Sequence, residues 1–220
     1  MARTALVVGA TGLVGQHLVE SLLHSKEYDQ VKILSRRKLA FEHKKITYIL
    51  LENFDLLINV KDQLIAQDVF CCLGTTIKTA GSKEKFYQVD YEYPVKIAEL
   101  ALANQAKQYL LVSALGANAK SSIFYNKVKG EVEKAIKNSN YKTVHIFRPS
   151  ILLGERSEKR LGEKVGIALM QAFSPLMLGG LKKYKPIKAK DVATAMHNCA
   201  LENTTGTLIH ESDKIKELAK

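Results

Sequence analysis

Short apolar runs alternate along this chain with stretches in which apolar residues recur every three or four positions. The runs predict buried strands, and the periodic stretches predict helices that pack against them. Regular alternation of the two is typical of an α/β fold with a doubly wound parallel sheet, which carries helices on both faces. The predicted strands are residues 6–8, 31–35, 46–51, 69–73, 108–113 and 143–147, and the predicted helices are residues 13–25, 59–65, 83–104 and 121–138.

The pattern changes after Pro149, where more closely spaced glycines separate shorter elements. A helix is predicted over 191–201, a short strand over 207–210 and a last helical turn over 213–218. No linker-like composition lies between the two parts. We therefore predict a single domain over residues 1–220, made of a core at 1–149 and a small C-terminal, substrate-side lobe at 150–220.

A glycine loop connects the first predicted strand to the first predicted helix. In this arrangement the backbone can approach a pyrophosphate, and the helix N-terminus points at it. The spacing Gly-x-x-Gly-x-x-Gly differs from the commoner Gly-x-Gly-x-x-Gly, but each glycine has a similar function. A purely structural turn is the alternative. We predict a dinucleotide-binding core at 1–149, with the loop contacts Gly9, Ala10, Thr11, Gly12, Leu13 and Val14.

The end of the second predicted strand indicates which dinucleotide is bound. It reads Ser35-Arg36-Arg37 and has no acidic residue where a free ribose 2′-hydroxyl would be held. A guanidinium group matches the geometry of a phosphate. The sequence therefore predicts NADP(H), with Ser35 and Arg36 on the 2′-phosphate and Arg37 as a second contact. Two exposed surface arginines are the alternative.

Two further segments are predicted to contact the cofactor because they follow strands at the carboxyl edge of the sheet, where ligands bind in such folds. Leu73, Gly74 and Thr75 follow the fourth predicted strand. Pro149 and Ile151 follow the sixth, where the nicotinamide is expected.

Tyr125 and Lys129 form the candidate catalytic pair. At a spacing of four residues on a predicted helix, their side chains lie on the same helix face. A nearby ammonium favours the phenolate form of a tyrosine and so prepares it for proton transfer. Both residues are also predicted to contact the cofactor, the lysine through the ribose. Ser113, at the end of the fifth predicted strand, is expected to orient a substrate oxygen.

The spacing alone is weak support, because Tyr-x-x-x-Lys occurs three times in this lysine-rich chain. Tyr28 and Lys32 lie on the approach to the second predicted strand, and Pro186 interrupts the pair Tyr184 and Lys188. Only Tyr125 and Lys129 lie on a predicted helix with a serine, Ser113, at an upstream strand end. The alternative to a catalytic role is that they are an exposed pair on the helix surface.

Composition narrows the function classes. The net charge is +11, yet the lysines are spread along the chain without interleaved aromatic residues, which does not favour nucleic-acid binding. No run approaches the roughly 18 apolar residues of a membrane span, and the N-terminus lacks a signal-peptide pattern, so we expect a cytoplasmic protein without a membrane partner. The three cysteines and six histidines show no ligand spacing, so no metal site is predicted.

Several segments together resemble a known family. Gly9 to Gly15, Ser113, Tyr125-x-x-x-Lys129 and Arg148-Pro149 resemble the short-chain dehydrogenase/reductase superfamily in its atypical branch. More specifically, Val69-Phe-Cys-Cys-Leu-Gly-Thr-Thr76 and Lys127-Val-Lys-Gly-Glu-Val-Glu133 are similar to the HIV Tat-interacting-protein-type oxidoreductases and their bacterial relatives. The resemblance spans most of residues 1–200.

The resemblance implies a Rossmann-like fold, NADPH binding and a Ser-Tyr-Lys set at Ser113, Tyr125 and Lys129. The leading hypothesis is an NADPH-dependent oxidoreductase that transfers hydride to or from a small-molecule carbonyl or alcohol. An NADPH-binding, redox-sensing regulatory protein without turnover is the alternative. An epimerase with transient hydride transfer is a third, disfavoured by the short lobe. The substrate, the reaction direction and whether the chain forms a homodimer stay open.

Overall fold

The computed structural model describes residues 3–154 and 179–220. Its strands form one large sheet and one short two-stranded ribbon. The strands of the large sheet are β1 (Arg3–Val8), β2 (Tyr28–Ser35), β3 (Ile46–Leu50), β4 (Asp68–Cys71), β5 (Gln108–Val112), β6 (Thr143–Arg148) and β9 (Gly206–Glu211), and those of the ribbon are β7 (Leu152–Leu153) and β8 (Ile187–Lys188).

The helices connect these strands and cover both faces of the large sheet. The α-helices are α1 (Leu13–His24), α2 (Ile77–Ala80), α3 (Lys83–Tyr87), α4 (Tyr93–Ala103), α5 (Phe124–Lys137), α6 (Ala189–Leu201) and α7 (Ser212–Leu218). Two 3-10 helices span Phe54–Gln63 and Gly179–Tyr184, and a π-helical segment spans Gln88–Glu92.

The large sheet has the order β3-β2-β1-β4-β5-β6-β9, and every pairing in it is parallel. The chain therefore leaves β1 in one direction to form β2 and β3, and in the other to form β4, β5, β6 and β9. This change of direction opens a crevice at the carboxyl ends of β1 and β4, where ligands bind in such sheets. The predicted doubly wound Rossmann-like fold is confirmed.

Alternating side chains of each strand enter two separate cores. On one face, Val7, Phe70 and Phe147 pack with α1 and α6. On the other face, Leu6 and Val69 pack with α4, α5 and the 3-10 helix that follows β3. Because successive residues of a strand point to opposite faces, a parallel sheet covered on both sides is apolar throughout, which is the pattern of the sequence.

The C-terminal segment belongs largely to the main domain. The apolar side of α6, including Val192 and Met196, is buried against the α1 side of the sheet, and β9 extends the sheet beside β6. A boundary at residue 149 would therefore cut through the hydrophobic core on the α1 face of the sheet. Residues 155–178 of the predicted lobe at 150–220 lie outside the described residues. Of its described strands, β7 and β8 lie outside the large sheet, whereas β9 is part of it.

Three predicted helices differ in detail. The helix expected over 59–65 is a 3-10 helix that already begins at Phe54. The helix expected from Ser121 or Ser122 begins at Phe124, and Ile123 occupies its N-cap without a side-chain hydrogen bond. Ser82 does cap the long helix, where its hydroxyl accepts a hydrogen bond from the backbone N–H of Lys85 at 3.2 Å.

That long helix, predicted over 83–104, continues past Pro94. Proline has no N–H to donate to the carbonyl of residue 90, and its ring crowds that carbonyl. The chain accommodates this with the widened π-turn at Gln88–Glu92, after which α4 continues to Ala103. The widened turn includes the buried Asp90, which the sequence analysis did not single out.

Candidate active site

The glycine loop is packed so closely that side chains are excluded from two of its positions. Gly9 has φ of +82°, and a Cβ there would lie 2.5 Å from the carbonyl oxygen of Cys72. A Cβ on Gly15 would lie 2.2 Å from the carbonyl oxygen of Gly9. The first contact brings β1 against the segment after β4, and the second brings α1 against the loop, so both glycines shape the crevice.

The N-terminus of α1 fits an anionic group. Gly12 is its N-cap, no side chain in the described part of the chain caps it, and its first turn has no acidic residue. Thr11 and Gly12 are exposed, whereas Ala10 and Val14 are buried and anchor the loop. Leu13 packs against the segment after β6, within 3.1 Å of a Cβ built on Gly154. The open N–H groups and the helix dipole together favour a phosphate at this position.

Ser35, Arg36 and Arg37 lie at the carboxyl end of β2, on the same edge of the sheet. Ser35 is buried, and its hydroxyl donates to the carbonyl oxygen of Arg37 at 2.7 Å. This bond shapes the turn, so the hydroxyl is not directed at solvent. Both arginines are exposed, and neither forms an ion pair within residues 3–154 and 179–220. Their guanidinium groups are therefore available to a ligand.

The segment Leu73–Thr75 connects the glycine loop to the predicted catalytic pair. The backbone N–H of Thr75 donates to Oδ2 of Asp90 at 2.9 Å. A Cβ built on Gly74 would lie 3.6 Å from Oδ1 of Asp90 and 3.7 Å from Nζ of Lys129. Leu73 is half-buried against the core under α4. This segment therefore passes directly over a buried charged pair.

Lys129 and Asp90 form that pair, with Nζ and Oδ1 2.7 Å apart and both side chains almost fully buried. Burial lowers the pKa of Lys129, but the Asp90 carboxylate and the neighbouring Tyr125 more than offset this, and the net pKa is raised. Lys129 is therefore held as an ammonium. Asp90 is a site residue that sequence analysis missed, because its position depends on the π-turn and no spacing motif indicates it.

Tyr125 stands at the first turn of α5 and lines a cavity of about 580 Å³. Its ring packs against Phe86 with centroids 5.7 Å apart. The other walls are the loop after β5, residues 114–118, and the segment after β6, which includes Pro149 and Ile151. The structure thus brings the tyrosine and both of these predicted contacts to one cavity at the carboxyl edge of the sheet.

Close packing of α5 on the loop after β5 fixes the position of the tyrosine. A Cβ on Gly130 would lie 2.0 Å from the backbone nitrogen of Ala119, so helix and loop are in direct backbone contact. The backbone N–H of Asn118 also donates to the carbonyl oxygen of Asn126 at 2.9 Å. Gly130 is a second residue that the sequence analysis missed, although its place in the Lys127–Glu133 segment was a signal.

Ser113 is oriented differently from the prediction. It is buried, and its hydroxyl donates to Oε1 of Glu133 at 2.7 Å. The guanidinium of Arg148 donates to the same oxygen at 2.8 Å. This bond commits the serine proton to a carboxylate on α5, and Ser113 is not among the residues that line the cavity. The residue expected to orient a substrate is part of a buried polar network instead.

The charged groups of the cavity are paired with each other. Arg148 forms the ion pair with Glu133, which is 1% exposed. At the other wall, Nζ of Lys183 lies 3.1 Å from Oε2 of Glu211. Each described cation at this cavity therefore has its own carboxylate, and the lining carries little net charge in spite of the basic sequence.

The fold and the glycine loop define a protein of the short-chain dehydrogenase/reductase type. The chain belongs to the NAD dependent epimerase/dehydratase family, whose model matches residues 5–209. The protein HTATIP2 of Rattus norvegicus is 37% identical over 164 residues, which cover 73% of this chain and 67% of that protein. FMP52 of Candida albicans is 34% identical over 210 residues, 93% of this chain and 91% of that protein. The predicted resemblance is confirmed.

Solved structures with the same fold are more distant in sequence. MoeE5, in a complex with UDP-glucose and NAD, has a TM-score of 0.71 at 14% identity and matches 98% of this chain and 80% of its own. WbmH of Bordetella bronchiseptica, in a complex with NAD+, has the same TM-score at 16% identity and matches all of this chain and 80% of its own.

The predicted cytoplasmic location is corrected by these relatives. FMP52 proteins, which match most of the chain, are mitochondrial by name. The charge and hydropathy patterns used for that prediction do not separate the two compartments. Among the described residues, no helix has the length and apolar character needed to cross a membrane.

Proposed function

We propose that this protein is an NADP(H)-dependent oxidoreductase that acts on a small carbonyl or alcohol. The observation that carries the proposal is the placement of Tyr125 on a cavity beside a buried Lys129, at the edge of the sheet where the glycine loop opens. When bound, the dinucleotide supplies hydride chemistry. The N-terminus of α1 would hold its diphosphate through backbone N–H groups.

Residues of the chain would supply proton transfer, ribose binding and the wall beside the nicotinamide. Tyr125 would transfer the proton between its hydroxyl and the substrate oxygen. The Lys129 ammonium, held by Asp90, would stabilise the phenolate and bind the ribose. Pro149 and Ile151 would form the apolar wall beside the nicotinamide. Because Ser113 donates to Glu133, the role of orienting the substrate oxygen falls mainly to Tyr125.

The preference for the 2′-phosphate rests on the two arginines after β2. They are exposed, they have no carboxylate partner in the described ranges, and the turn has no acid that would bind a 2′-hydroxyl. Because the structural neighbours MoeE5 and WbmH are bound to NAD, the preference for NADPH over NADH is tested directly. Arg36→Asp should lower NADPH affinity and raise the relative affinity for NADH. An unchanged affinity ratio would refute the assignment.

The paired charges of the cavity indicate the substrate class. An anionic substrate would have to displace Glu133 from Arg148 or Glu211 from Lys183, whereas an uncharged carbonyl compound would not. We therefore expect aldehydes and ketones without a charged group to react best. A screen should include sugar nucleotides, whose turnover would favour an epimerase instead.

The position of Ser113 also supports a second candidate, an NADPH-binding sensor that does not turn over its ligand. An assay of NADPH oxidation by the purified protein, with a panel of carbonyl compounds, distinguishes the oxidoreductase from the sensor. The chain has no tryptophan, so NADPH fluorescence reports binding without interference from tryptophan emission. Tyr125→Phe should abolish NADPH oxidation and leave binding largely intact. Binding without oxidation in the wild-type protein would favour the sensor.

A further inference from the structure

Two histidines and a cysteine that no spacing motif connects meet inside the fold. His145 lies on β6, His210 on β9 and Cys199 on α6. His210 is the register partner of Phe147, two residues along from His145, so both histidines point to the same face of the sheet. That face is covered by α6 and buries Cys199. All three side chains are buried, and none of them lines the cavity beside Tyr125.

The ligand atoms of the three side chains lie close to one another. Nδ1 of His145 lies 3.0 Å from Nε2 of His210, and the ligand atoms of all three residues lie within 4.8 Å of one another. Two nitrogens bound tetrahedrally to one Zn²⁺, at about 2.0–2.1 Å each, are roughly 3.3 Å apart. The histidines therefore already stand near the separation that a metal ion imposes, and the thiol needs a shift of about 1 Å or less to reach the same ion.

A hydroxyl group lies beside the far nitrogen of His145, and metal binding would replace the hydrogen bond between the two imidazoles. Oγ1 of Thr204 lies 3.2 Å from Nε2 of His145. With Nε2–H donating to this oxygen, Nδ1 presents its lone pair toward His210. Thr204 is itself held, because its carbonyl oxygen accepts a hydrogen bond from the hydroxyl of Thr143 at 2.7 Å. Such outer partners orient imidazole ligands in metal sites.

We propose that His145, Cys199 and His210 bind one Zn²⁺ ion, which ties β6, β9 and α6 together. Zn²⁺ is borderline soft and accepts imidazole nitrogen and thiolate sulfur in one tetrahedral site. A water that enters beside the largely exposed turn 202–205 completes the four ligands. The ion would join β9, at the edge of the sheet, to the neighbouring strand β6 and to α6, the helix that precedes β9.

Protonation of the three groups sets the pH dependence of binding. Burial lowers the pKa of both histidines to about 4, with His210 adding to the effect on His145 and Lys214 to that on His210, so both are neutral near pH 7. Burial, then Glu202, raises the pKa of Cys199 to about 12, against an opposing effect of Lys214. Zinc binds the thiolate and not the thiol, so binding releases a proton and zinc affinity should rise with pH.

The test uses the full chain, stripped of metal with a chelator and titrated with Co²⁺, whose thiolate charge-transfer absorption reports sulfur coordination. We expect one equivalent of Co²⁺ with this absorption, displacement by Zn²⁺, and an increase of several degrees in thermal midpoint with Zn²⁺. Cys199→Ala should lose the absorption, and His210→Ala should weaken binding at least tenfold. Cys71→Ala is the matched control, because Cys71 is an equally buried free cysteine outside the cluster and should leave binding unchanged.

Two outcomes would overturn the proposal. One is wild-type protein that gains neither the charge-transfer absorption nor thermal stability with either metal. The other is binding that persists at full strength in folded Cys199→Ala or His210→Ala protein, which would place the ion on surface histidines. If the variants do not fold, the charge-transfer absorption of the wild-type protein with Co²⁺ still decides the question.

Discussion

The ammonium of Lys129 lies 2.7 Å from the carboxylate of Asp90, in a position where both side chains are almost fully buried. A buried charge is costly unless a partner offsets it, so each residue depends on the other. The catalytic pair that the sequence indicated, Tyr125 and Lys129, is therefore better described as a group of three. The third member comes from the widened turn between α3 and α4.

The mutual dependence of this pair can be measured without a substrate. Lys129→Met leaves the Asp90 carboxylate buried and unpaired, and should lower the free energy of unfolding by about 3 to 5 kcal/mol. Adding Asp90→Asn to that variant should recover part of the loss. Urea unfolding of the two single variants and the double variant gives the coupling energy. Lys96→Met is the control, because Lys96 is exposed and its pair with Glu99 is at the surface. Additive losses would contradict the pairing.

The variant Ser113→Ala distinguishes a role of this serine in orienting the substrate from a role in the buried polar network. Because its hydroxyl donates to Glu133, the variant should lose far less turnover than Tyr125→Phe, for which a loss of about 10² to 10⁴ is expected. Its free energy of unfolding should fall by about 1 kcal/mol, because Glu133 keeps its bond to Arg148. Steady-state kinetics and urea unfolding test both statements. Equal losses of turnover in the two variants would show that the serine acts on the substrate.

Gly130→Ala should destabilise the protein although alanine is the better helix former. A methyl group at this position meets the backbone of Ala119 at 2.0 Å, and neither backbone can yield easily. We expect a loss of about 2 to 3 kcal/mol, against a gain of about 1 kcal/mol at an unhindered helix position. Thermal unfolding measures the difference. Lys134→Ala, at an exposed position of the same helix, should change stability by no more than about 0.5 kcal/mol.

Acid should weaken the metal-free protein through His145 and His210. Burial lowers the pKa of each to about 4, from an ordinary value near 6.5. Between these values the unfolded chain binds protons that the folded protein excludes, so stability falls as pH drops from about 6.5 to 4. Because the two rings contact each other, we expect a combined loss of at least about 3 kcal/mol, the value for one such shift. Urea unfolding at several pH values should show a shallower slope for His145→Gln than for the wild-type protein.

The sequence was sufficient to predict the structure where a short segment determines its own conformation. The strand, glycine loop and helix around Gly9 form as expected, because the loop and its neighbours are contiguous in the chain. It was insufficient where the outcome depends on distant packing. The position of Asp90 follows from how the helix accommodates Pro94, and the contact of Gly130 involves Ala119 in the preceding loop, eleven residues away. The cluster of His145, Cys199 and His210 arises only when β9 pairs with β6.

Distant packing also explains why the C-terminal elements and the Ser113 hydroxyl differ from what the sequence indicated. The short C-terminal elements resemble an appendage when their periodicity is considered alone, yet α6 supplies much of the cover for the face that contains α1. Ser113 does follow β5 directly, but its hydroxyl is directed at Glu133 and the residue does not line the cavity. Spacing in a sequence locates a residue and does not determine the direction of its hydroxyl group.

The π-turn at Gln88–Glu92 has a consequence for how such a site could arise or be lost. A π-turn amounts to one extra residue within an otherwise regular α-helix. Removing a single codon between Asp90 and Pro94 would rotate Asp90 and the residues before it by about 100° relative to α4. The carboxylate would then swing away from the lysine, so the smallest possible deletion, at a distance from the tyrosine, would dismantle the charge arrangement without altering any residue that contacts a ligand.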